Sequence, residues 1–207
     1  GIHRTPLGWV YREWAPQARA LHLIGDFNDW NRISHPLKKL DNGNWEIVLP
    51  GAKALSHGQH VLVEVEDANG VKRDRIPLYI HRIVRPEGMN RFVGEIWQPE
   101  TPFVWDDADY SPVRATPLMI YEAHIGMATE RGGVGTYAEF TDNVLERIQK
   151  AGYNAIQLMG VMEHPYYASF GYQVSNFFAA SSWYGTPEEL KALVNKAHSM
   201  GIAVLLD

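Results

Sequence analysis

The sequence of 207 residues contains no cysteine, which excludes disulfide bonds and thiolate metal sites. No stretch approaches about 18 uninterrupted apolar residues, the length that a membrane-spanning helix needs. Basic residues are outnumbered: 19 Lys and Arg face 24 Asp and Glu, and the net charge of −5 argues against a nucleic-acid interface. The N-terminus shows no basic-then-apolar signal pattern. We therefore expect a cytoplasmic protein that binds neither nucleic acid nor membrane.

Aromatic residues are abundant and unevenly distributed, with seven Trp and ten Tyr. Six of the Trp precede residue 106, whereas eight of the Tyr follow it. The stretch from Gln98 to Pro117 contains four of the twelve prolines, which neither a helix nor a central strand tolerates. We predict a linker at 98–117 that joins a first domain at 1–97 to a second at 118–207.

The first part has the pattern of an all-β domain. Asn42-Gly43 and Asn69-Gly70 supply the positive φ angles that tight hairpins need. In Val61–Glu66 the three valines alternate with Leu62, Glu64 and Glu66, which predicts a half-buried strand. Such short strands between turns predict a β-sandwich of about 100 residues. The strand candidates are Trp9–Trp14, Ala20–Ile24, Trp45–Leu49 and Val61–Glu66.

The second part has the pattern β-α-β-α-β. Thr136–Glu139 and Thr186–Glu189 are capping boxes, and each opens a run of apolar residues at helical spacing. Three short apolar stretches are candidate strands. Because these strands alternate with helices, we predict a parallel sheet covered by helices. The strand candidates are Leu118–Tyr121, Ala155–Met159 and Ala203–Leu206.

Two α/β folds fit this pattern. Gly133–Ala138 matches the dinucleotide fingerprint G-x-G-x-x-A, which would indicate a nucleotide-dependent oxidoreductase. However, about a dozen residues separate these glycines from the preceding strand, whereas the fingerprint follows its strand directly. The other fold is a (β/α)8 barrel, whose functional residues lie at the carboxyl ends of its strands.

Six motifs occur in order along the chain: Trp14-Ala15-Pro16, Leu23–Trp30, Ile120–Gly126, Glu163–Gln173, Tyr184–Leu190 and Val204–Asp207. Together they resemble the front part of the glycogen (α-1,4-glucan) branching enzymes of the α-amylase superfamily, glycoside hydrolase family 13. The resemblance is closest to the eukaryote-like members. It implies a multidomain protein: an all-β immunoglobulin-like sandwich, similar to carbohydrate-binding module 48, followed by strands 1 to 3 of a truncated (β/α)8 TIM barrel.

The resemblance also implies a chemistry. Family members cut α-1,4-glucan and transfer the piece to a sugar 6-hydroxyl with retention, which requires two carboxyl groups about 5–5.5 Å apart. In the family both carboxylates lie on later barrel strands. We therefore expect an N-terminal fragment with no catalytic residue, no cofactor and no metal site. We expect it to be inactive alone, to bind glycogen or malto-oligosaccharides at most, and to shield its third strand by self-association or disorder.

Two candidate binding residues lie in the barrel part. Tyr172 matches the family tyrosine that lies against the sugar ring at the cleavage subsite, where an aromatic face suits the C–H face of a pyranose. Asp207 matches the first residue of a family motif at the end of the third strand. Taken without the resemblance, Tyr172 reads as a core residue and Asp207 as a turn residue. His124, His164, Glu122 and Glu163 are interpreted as structural.

The other candidates lie in the β-domain. Trp14, Pro16, Asn42, Gly43 and Asn44 match a groove in which related enzymes hold oligosaccharide. Trp30 matches a glucan-binding tryptophan, but the second aromatic of that platform is absent, because Val71 follows Gly70. A hairpin turn at Asn42-Gly43 and a core or structural role for either Trp are the alternatives.

Two other functions stay open at this point. A non-catalytic glucan-binding or scaffold protein would use the same surfaces, and a related α-glucan hydrolase of the debranching type would share the fold. The residues that separate cutting from branching lie mainly outside these 207 residues.

Overall fold

The computed structural model describes residues 1–111 and 117–207. They form two compact units, Gly1–Glu100 and Thr101–Asp207, and the division falls within the predicted linker. Residues 112–116 of that linker lie outside the described residues. Its residues 101–111 belong to the second unit because the Asp106 N–H donates to Asn195 Oδ1 and His198 Nδ1 lies 2.7 Å from Asp107 Oδ2.

The first unit is built from two antiparallel sheets that form the β-sandwich. The order is β1-β2-β5-β4 in one sheet and β3-β6-β9-β8 in the other, with β7 pairing with β6. The strands are β1 Ile2–Thr5, β2 Gly8–Trp14, β3 Ala20–Gly25, β4 Lys38–Lys39, β5 Asn44–Pro50, β6 His60–Glu66, β7 Lys72–Arg75, β8 Ile83–Val84 and β9 Val93–Glu95.

Strand β6 is buried on both faces, so the prediction of a half-buried strand is wrong. Leu62 packs with Ile24 and Val93 in an apolar cluster, on the same face of the strand as Glu64, which was expected to meet solvent. Glu64 on the same strand is buried and is hydrogen-bonded by Arg32 and Lys72. Burial would raise the pKa of Glu64, but these cationic donors lower it below its usual range. The carboxylate is therefore stable inside the unit.

The second unit contains a parallel three-stranded sheet in the order β10-β11-β14, with an antiparallel hairpin β12-β13 after β11. Helices connect the three parallel strands, as in the first part of a (β/α)8 barrel. The elements are β10 Ile120–Ala123, α1 Tyr137–Asn143, α2 Leu145–Lys150, β11 Ala155–Leu158, β12 Met162–Glu163, β13 Asn176–Ala180, α3 Pro187–Ser199 and β14 Ala203–Leu206.

Both predicted capping boxes are present. Thr136 Oγ1 accepts from the Glu139 N–H at 3.1 Å, and Glu139 Oε2 accepts in return from the Thr136 N–H at 2.9 Å. Thr186 and Glu189 form the same reciprocal pair at the start of α3. The first predicted helix is interrupted at Val144, where φ is −110°. Two short helices therefore stand where the sequence predicts one.

The first parallel strand begins two residues later than predicted. Asn154 Oδ1 accepts from the Met119 N–H at 2.7 Å, so that donor is bonded to a side chain, and the regular ladder with β11 starts at Ile120. The third strand, β14, lies at the other edge of the described sheet, where Leu206 is exposed. Within the described residues no helix has the length and apolarity that crossing a bilayer requires.

The glycines of the G-x-G-x-x-A stretch close a loop. They end the loop 124–136 rather than follow β10 directly. The Gly135 N–H donates to Gly126 O at 2.9 Å, and a Cβ on Gly135 would lie 2.5 Å from Ile125 O. The Gly135 amide is therefore bonded within the loop and does not face a phosphate, and the dinucleotide interpretation loses its structural basis.

Candidate functional site

Tyr172 and Asp207 meet at the carboxyl edge of the parallel sheet. Tyr172 lies in the loop of the β12-β13 hairpin, and Asp207 follows β14. The Tyr172 hydroxyl donates to Asp207 Oδ2 at 2.9 Å, and this hydrogen bond raises the pKa of Tyr172. The face of the Tyr172 ring remains accessible to a ligand, because 56% of the residue is exposed. Residues 35 positions apart thus form one polar and aromatic surface.

Two polar residues that the sequence did not single out as a pair lie on the sheet below this surface. Glu122 on β10 and Gln157 on β11 are cross-strand partners, and Leu205 on β14 continues the row. Gln157 Nε2 donates to Glu122 Oε1 at 3.3 Å. The alternation of β-strands places Glu122 and Gln157 on one face of the sheet, opposite the face of Ile156, which packs in the helix-covered core. Only the strand register reveals this pair.

Two glycines set the position of the loop that carries Tyr172. Gly160 and Gly171 have φ angles of 56° and 90°. A Cβ on Gly171 would lie 2.4 Å from Gly160 O, and one on Gly160 would lie 2.2 Å from Phe170 O. The two backbone segments therefore approach more closely than any other residue type would allow. Phe170 also takes a positive φ of 55°, so the chain turns sharply just before Tyr172.

Of the four residues interpreted as structural, His124, His164 and Glu163 are buried and support this loop and its hairpin, whereas Glu122 is exposed. Glu163 is 1% exposed and accepts from the Ser182 N–H at 2.7 Å and from Ser182 Oγ at 3.2 Å. His164 Nδ1 lies 2.9 Å from Met162 O. His124 Nε2 lies 3.2 Å from both Phe170 O and Tyr184 Oη. Because Glu163 and Glu122 each accept a hydrogen bond from a neighbouring residue, they do not form a pair of free carboxylates.

The structure brings together the five candidates on the first sheet of the β-sandwich. Trp14, at the end of β2, lies opposite Asn44 on β5. Its indole Nε1 donates to Asn42 O at 3.2 Å, and the residue is 56% exposed. Gly43 packs against Pro16, because an added Cβ would lie 2.7 Å from Pro16 Cβ. The five residues, of which Gly43 and Asn44 are half-buried and the others exposed, form one surface, which we call the Trp14 surface.

Local backbone conformation explains the shape of the Trp14 surface. Asn42 and Gly43 have φ angles of 60° and 80°, which Asn and Gly adopt at little cost. The Ala15 N–H donates to Gly43 O at 2.9 Å, which ties the turn to the segment after Trp14. The buried Glu13 accepts from the Trp14 N–H at 3.0 Å. Two hydrogen bonds thus fix the position of the indole: one from the Trp14 backbone N–H to Glu13 and one from the indole Nε1 to Asn42 O.

Trp30 does not join the Trp14 surface. It packs on the apolar cluster of Ile24, Leu62 and Val93, which lies on the other sheet. Its Nε1 donates to Asp26 Oδ1 at 3.0 Å, and the Arg91 guanidinium lies 5.3 Å from the centre of its ring. A cation over the ring covers the surface that a sugar would use. Trp30 has the contacts of a residue that closes the sandwich.

Within residues 1–111 and 117–207, no group of three or more His, Asp or Glu side chains could hold a metal ion. The polar groups at the carboxyl edge instead bond one another, as Tyr172 does with Asp207 and Gln157 with Glu122. What this arrangement offers chemically is an aromatic face beside hydrogen-bonding groups, which suits a carbohydrate ring.

Comparison with protein families and solved structures identifies both units. Residues 1–80 match "Carbohydrate-binding module 48 (Isoamylase N-terminal domain)", and residues 120–207 match "Alpha amylase, catalytic domain". Pullulanases share the fold over the whole chain: one from GBS, solved in complex with maltotetraose, has a TM-score of 0.78 at 22% identity and is covered over 33% of its length. The pullulanase of Bacillus acidopullulyticus has a TM-score of 0.74 at 21% identity, with 29% of its length covered. The predicted fold class is confirmed.

Much higher identity links the chain to 1,4-alpha-glucan-branching enzymes. The enzyme of Rhizophagus irregularis is 50% identical and that of Dictyostelium discoideum 47%, each over all of this chain and 31% of its own length. The branching enzyme 2-2 of Arabidopsis thaliana is 46% identical over all of the chain and 26% of its own length. The chain thus spans about a third of the length of the first two relatives. It belongs to the α-amylase superfamily and corresponds, within it, to the N-terminal part of the 1,4-alpha-glucan-branching enzymes.

Proposed function

We propose that the chain is part of an enzyme that cleaves α-1,4-glucan and transfers the released oligosaccharide to a 6-hydroxyl, forming α-1,6 branches by a retaining mechanism. The observation that carries this proposal is the Tyr172–Asp207 pair at the carboxyl edge of the sheet. In (β/α)8 enzymes this edge holds the active site. The identity of 46–50% to proteins named as branching enzymes supports transfer rather than hydrolysis as the reaction.

Tyr172 and Asp207 have distinct parts in this proposal. The exposed ring of Tyr172 buries the apolar face of one glucose unit, while the sugar hydroxyls stay in the ring plane and reach polar partners. Asp207 fixes the phenol through its hydroxyl and keeps carboxylate lone pairs for sugar hydroxyls, because a carboxylate can accept about four hydrogen bonds. Together they orient the donor chain for the carboxylates that carry out the transfer.

The Trp14 surface supplies a second glucan contact in this proposal. Its exposed indole offers a stacking face, and the amide groups of Asn42 and Asn44 offer hydrogen bonds to sugar hydroxyls. A contact outside the reacting centre holds a long polymer without changing the chemistry. The debranching hydrolase is the second candidate; it rests on the pullulanase fold match alone, at 21–22% identity.

Substitution of Tyr172 tests the reaction. In the longer protein that carries this chain, we expect Tyr172→Ala to lower kcat/KM for amylose branching about 30–150-fold, since about 2–3 kcal/mol of ring burial is lost. Tyr172→Phe keeps the ring and loses one hydrogen bond, so its loss should be about 5–10-fold. Iodine staining and counting of α-1,6 linkages measure the product. A normal rate for Tyr172→Ala, or a product with new reducing ends and no new branches, would contradict the proposal.

Substitution of Trp14 tests the second contact. We expect Trp14→Ala to weaken binding of maltoheptaose to the full chain about tenfold, because the stacking face is lost. Isothermal titration calorimetry measures the affinity, and Trp105→Ala, which removes another exposed Trp, is the matched control. Equal affinities for Trp14→Ala and Trp105→Ala would remove Trp14 from the site.

Location and assembly belong to the same proposal. Cytoplasmic location is supported by the lack of cysteine. Self-association through β14 is supported by the exposed Leu206 at that sheet edge.

A further inference from the structure

We propose that His124 is the positioning residue that fixes the ring of Tyr172, acting through the carbonyl of Phe170. The importance of Tyr172 for glucan rests on the proposed function, whereas the positioning itself can be measured without any substrate. His124 directly follows β10 and lies 46 residues before Phe170 in the sequence, so nothing in the local pattern links them.

The contact is partly buried and joins two distant segments. His124 is 8% exposed, and its Nε2 lies 3.2 Å from Phe170 O. Phe170 is held at a φ of 55°, and Gly171 follows at 90°. A carbonyl that is partly removed from water in such a turn is stabilised by a donor, and losing that donor would destabilise the turn. The imidazole N–H of His124 supplies that donor from a neighbouring strand end.

The acceptor fixes the tautomer of His124. A carbonyl oxygen only accepts, so the proton must be on Nε2 and Nδ1 must be bare. Among the described residues Nδ1 has no hydrogen-bond partner, which fits a bare nitrogen in an apolar setting. Burial lowers the pKa of His124, so the ring is neutral at pH 7. The neutral Nε2–H form is thus the one that the site selects.

Aromatic neighbours hold the ring in this orientation. The rings of Tyr184 and Phe170 lie edge-on to His124, with centroids at 5.6 Å and 5.5 Å. The hydroxyl of Tyr184 lies 3.2 Å from the same Nε2. The other buried histidine of this region, His164, has Nδ1 2.9 Å from Met162 O in its own hairpin, and among the described residues its ring makes no hydrogen bond to the Tyr172 turn. His124 is therefore the residue that joins β10 to this turn.

The turn transmits the position of Phe170 to Tyr172. The Tyr172 N–H donates to Ser169 O at 3.0 Å, so Phe170 and Gly171 are the two central residues of one tight turn. At the other end, the Tyr172 hydroxyl bonds Asp207. If the carbonyl of Phe170 loses its donor, the turn shifts and the hydroxyl of Tyr172 leaves Asp207. The ionisation of Tyr172 reports this directly, because the Asp207 hydrogen bond raises its pKa.

The experiment places 3-fluorotyrosine at position 172 of the full chain and follows its ionisation by fluorine NMR. We expect a midpoint above that of free 3-fluorotyrosine in the parent chain. In His124→Leu the midpoint should fall to the free value, because leucine fills the space without a donor. In His124→Gln it should stay raised, because the amide N–H of glutamine reaches about as far as Nε2.

A core variant separates positioning from general stability. Ile148→Val shortens a buried side chain in the same unit and lowers the melting temperature without touching the turn. Its Tyr172 midpoint should stay raised. An unchanged midpoint in His124→Leu, a lowered midpoint in His124→Gln, or an equal fall in Ile148→Val would each overturn the proposal.

The same variants in the longer protein connect the position to the reaction. We expect kcat/KM for branching to fall at least tenfold in His124→Leu and to stay within about threefold in His124→Gln. If the fluorine signals behave as expected and branching is unchanged, His124 still positions Tyr172, and the proposed function of Tyr172 is what fails.

Discussion

Gly171→Ala is expected to destabilise the second unit by about 2–5 kcal/mol and to remove Tyr172 from the carboxyl edge of the sheet. Two causes add. A non-glycine residue at a φ of 90° costs about 1–2 kcal/mol, and forcing an extra methyl into packed backbone costs about 1–3 kcal/mol. The methyl would lie 2.4 Å from Gly160 O and 2.5 Å from Gly160 Cα. Backbone cannot rotate away as a side chain can, so the loop must move.

The chain contains a matched control for this substitution. Gly152 has a φ of 91°, but an added Cβ there would have no atom within 4 Å. Gly152→Ala should therefore lose only the conformational part, about 1–2 kcal/mol. Urea denaturation of both variants measures the difference, and the fluorine signal of Tyr172 shows whether the loop has moved. Equal losses of stability in the two variants would contradict the overlap that the structure shows.

Local signals in the sequence were sufficient to predict much of this fold. The capping boxes at Thr136 and Thr186 start helices because each motif satisfies its own backbone donors, without help from distant residues. The hairpin turns at Asn42-Gly43 and Asn69-Gly70 follow equally from residues that accept positive φ. The candidate strands of the sandwich lie within one residue of the observed ones for the same reason.

Elements that depend on distant partners were not predicted. The strands β4 and β8 have two residues each, too few to carry a periodic pattern, and they exist only because β5 and β9 pair with them. The hairpin β12-β13 has the same origin. The second buried face of β6 was missed because Glu64 suggested solvent, whereas Arg32 and Lys72 arrive from other segments to neutralise it.

The candidate site divides in the same way. Tyr172 and Asp207 were singled out by resemblance, and the residues alone gave no reason to join them. The contact between His124 and Phe170 spans 46 positions and involves a backbone carbonyl, which has no sequence signature. For Trp30 the sequence suggested a role but could not show its surroundings. The match to a binding residue was visible in the sequence, whereas the Arg91 cation over the ring was not.

The 207-residue chain alone is expected to show no branching activity. Retention requires two carboxyl groups about 5–5.5 Å apart, one as nucleophile and one as acid then base. Amylose incubated with the chain should keep its iodine colour and its linkages, at least 10⁶-fold below the rate of an active enzyme. The Rhizophagus irregularis branching enzyme, 50% identical over this region, is a suitable positive control. Turnover that purifies with the chain would contradict the expectation.

The chain is expected to be inactive because the carboxylates near the carboxyl edge of the sheet already have hydrogen-bond partners. Asp207 accepts from Tyr172, Glu122 accepts from Gln157, and Glu163 is buried against Ser182, so each already has a structural partner. None is placed as the free partner of another. The binding surfaces, in contrast, are assembled within each unit from neighbouring loops and strands, and Trp14 and Tyr172 are exposed on them. The chain should therefore bind maltoheptaose while leaving it uncut. Binding without cleavage would distinguish a chain that lacks the catalytic pair from a chain that is misfolded, because a misfolded chain would lose binding as well as cleavage.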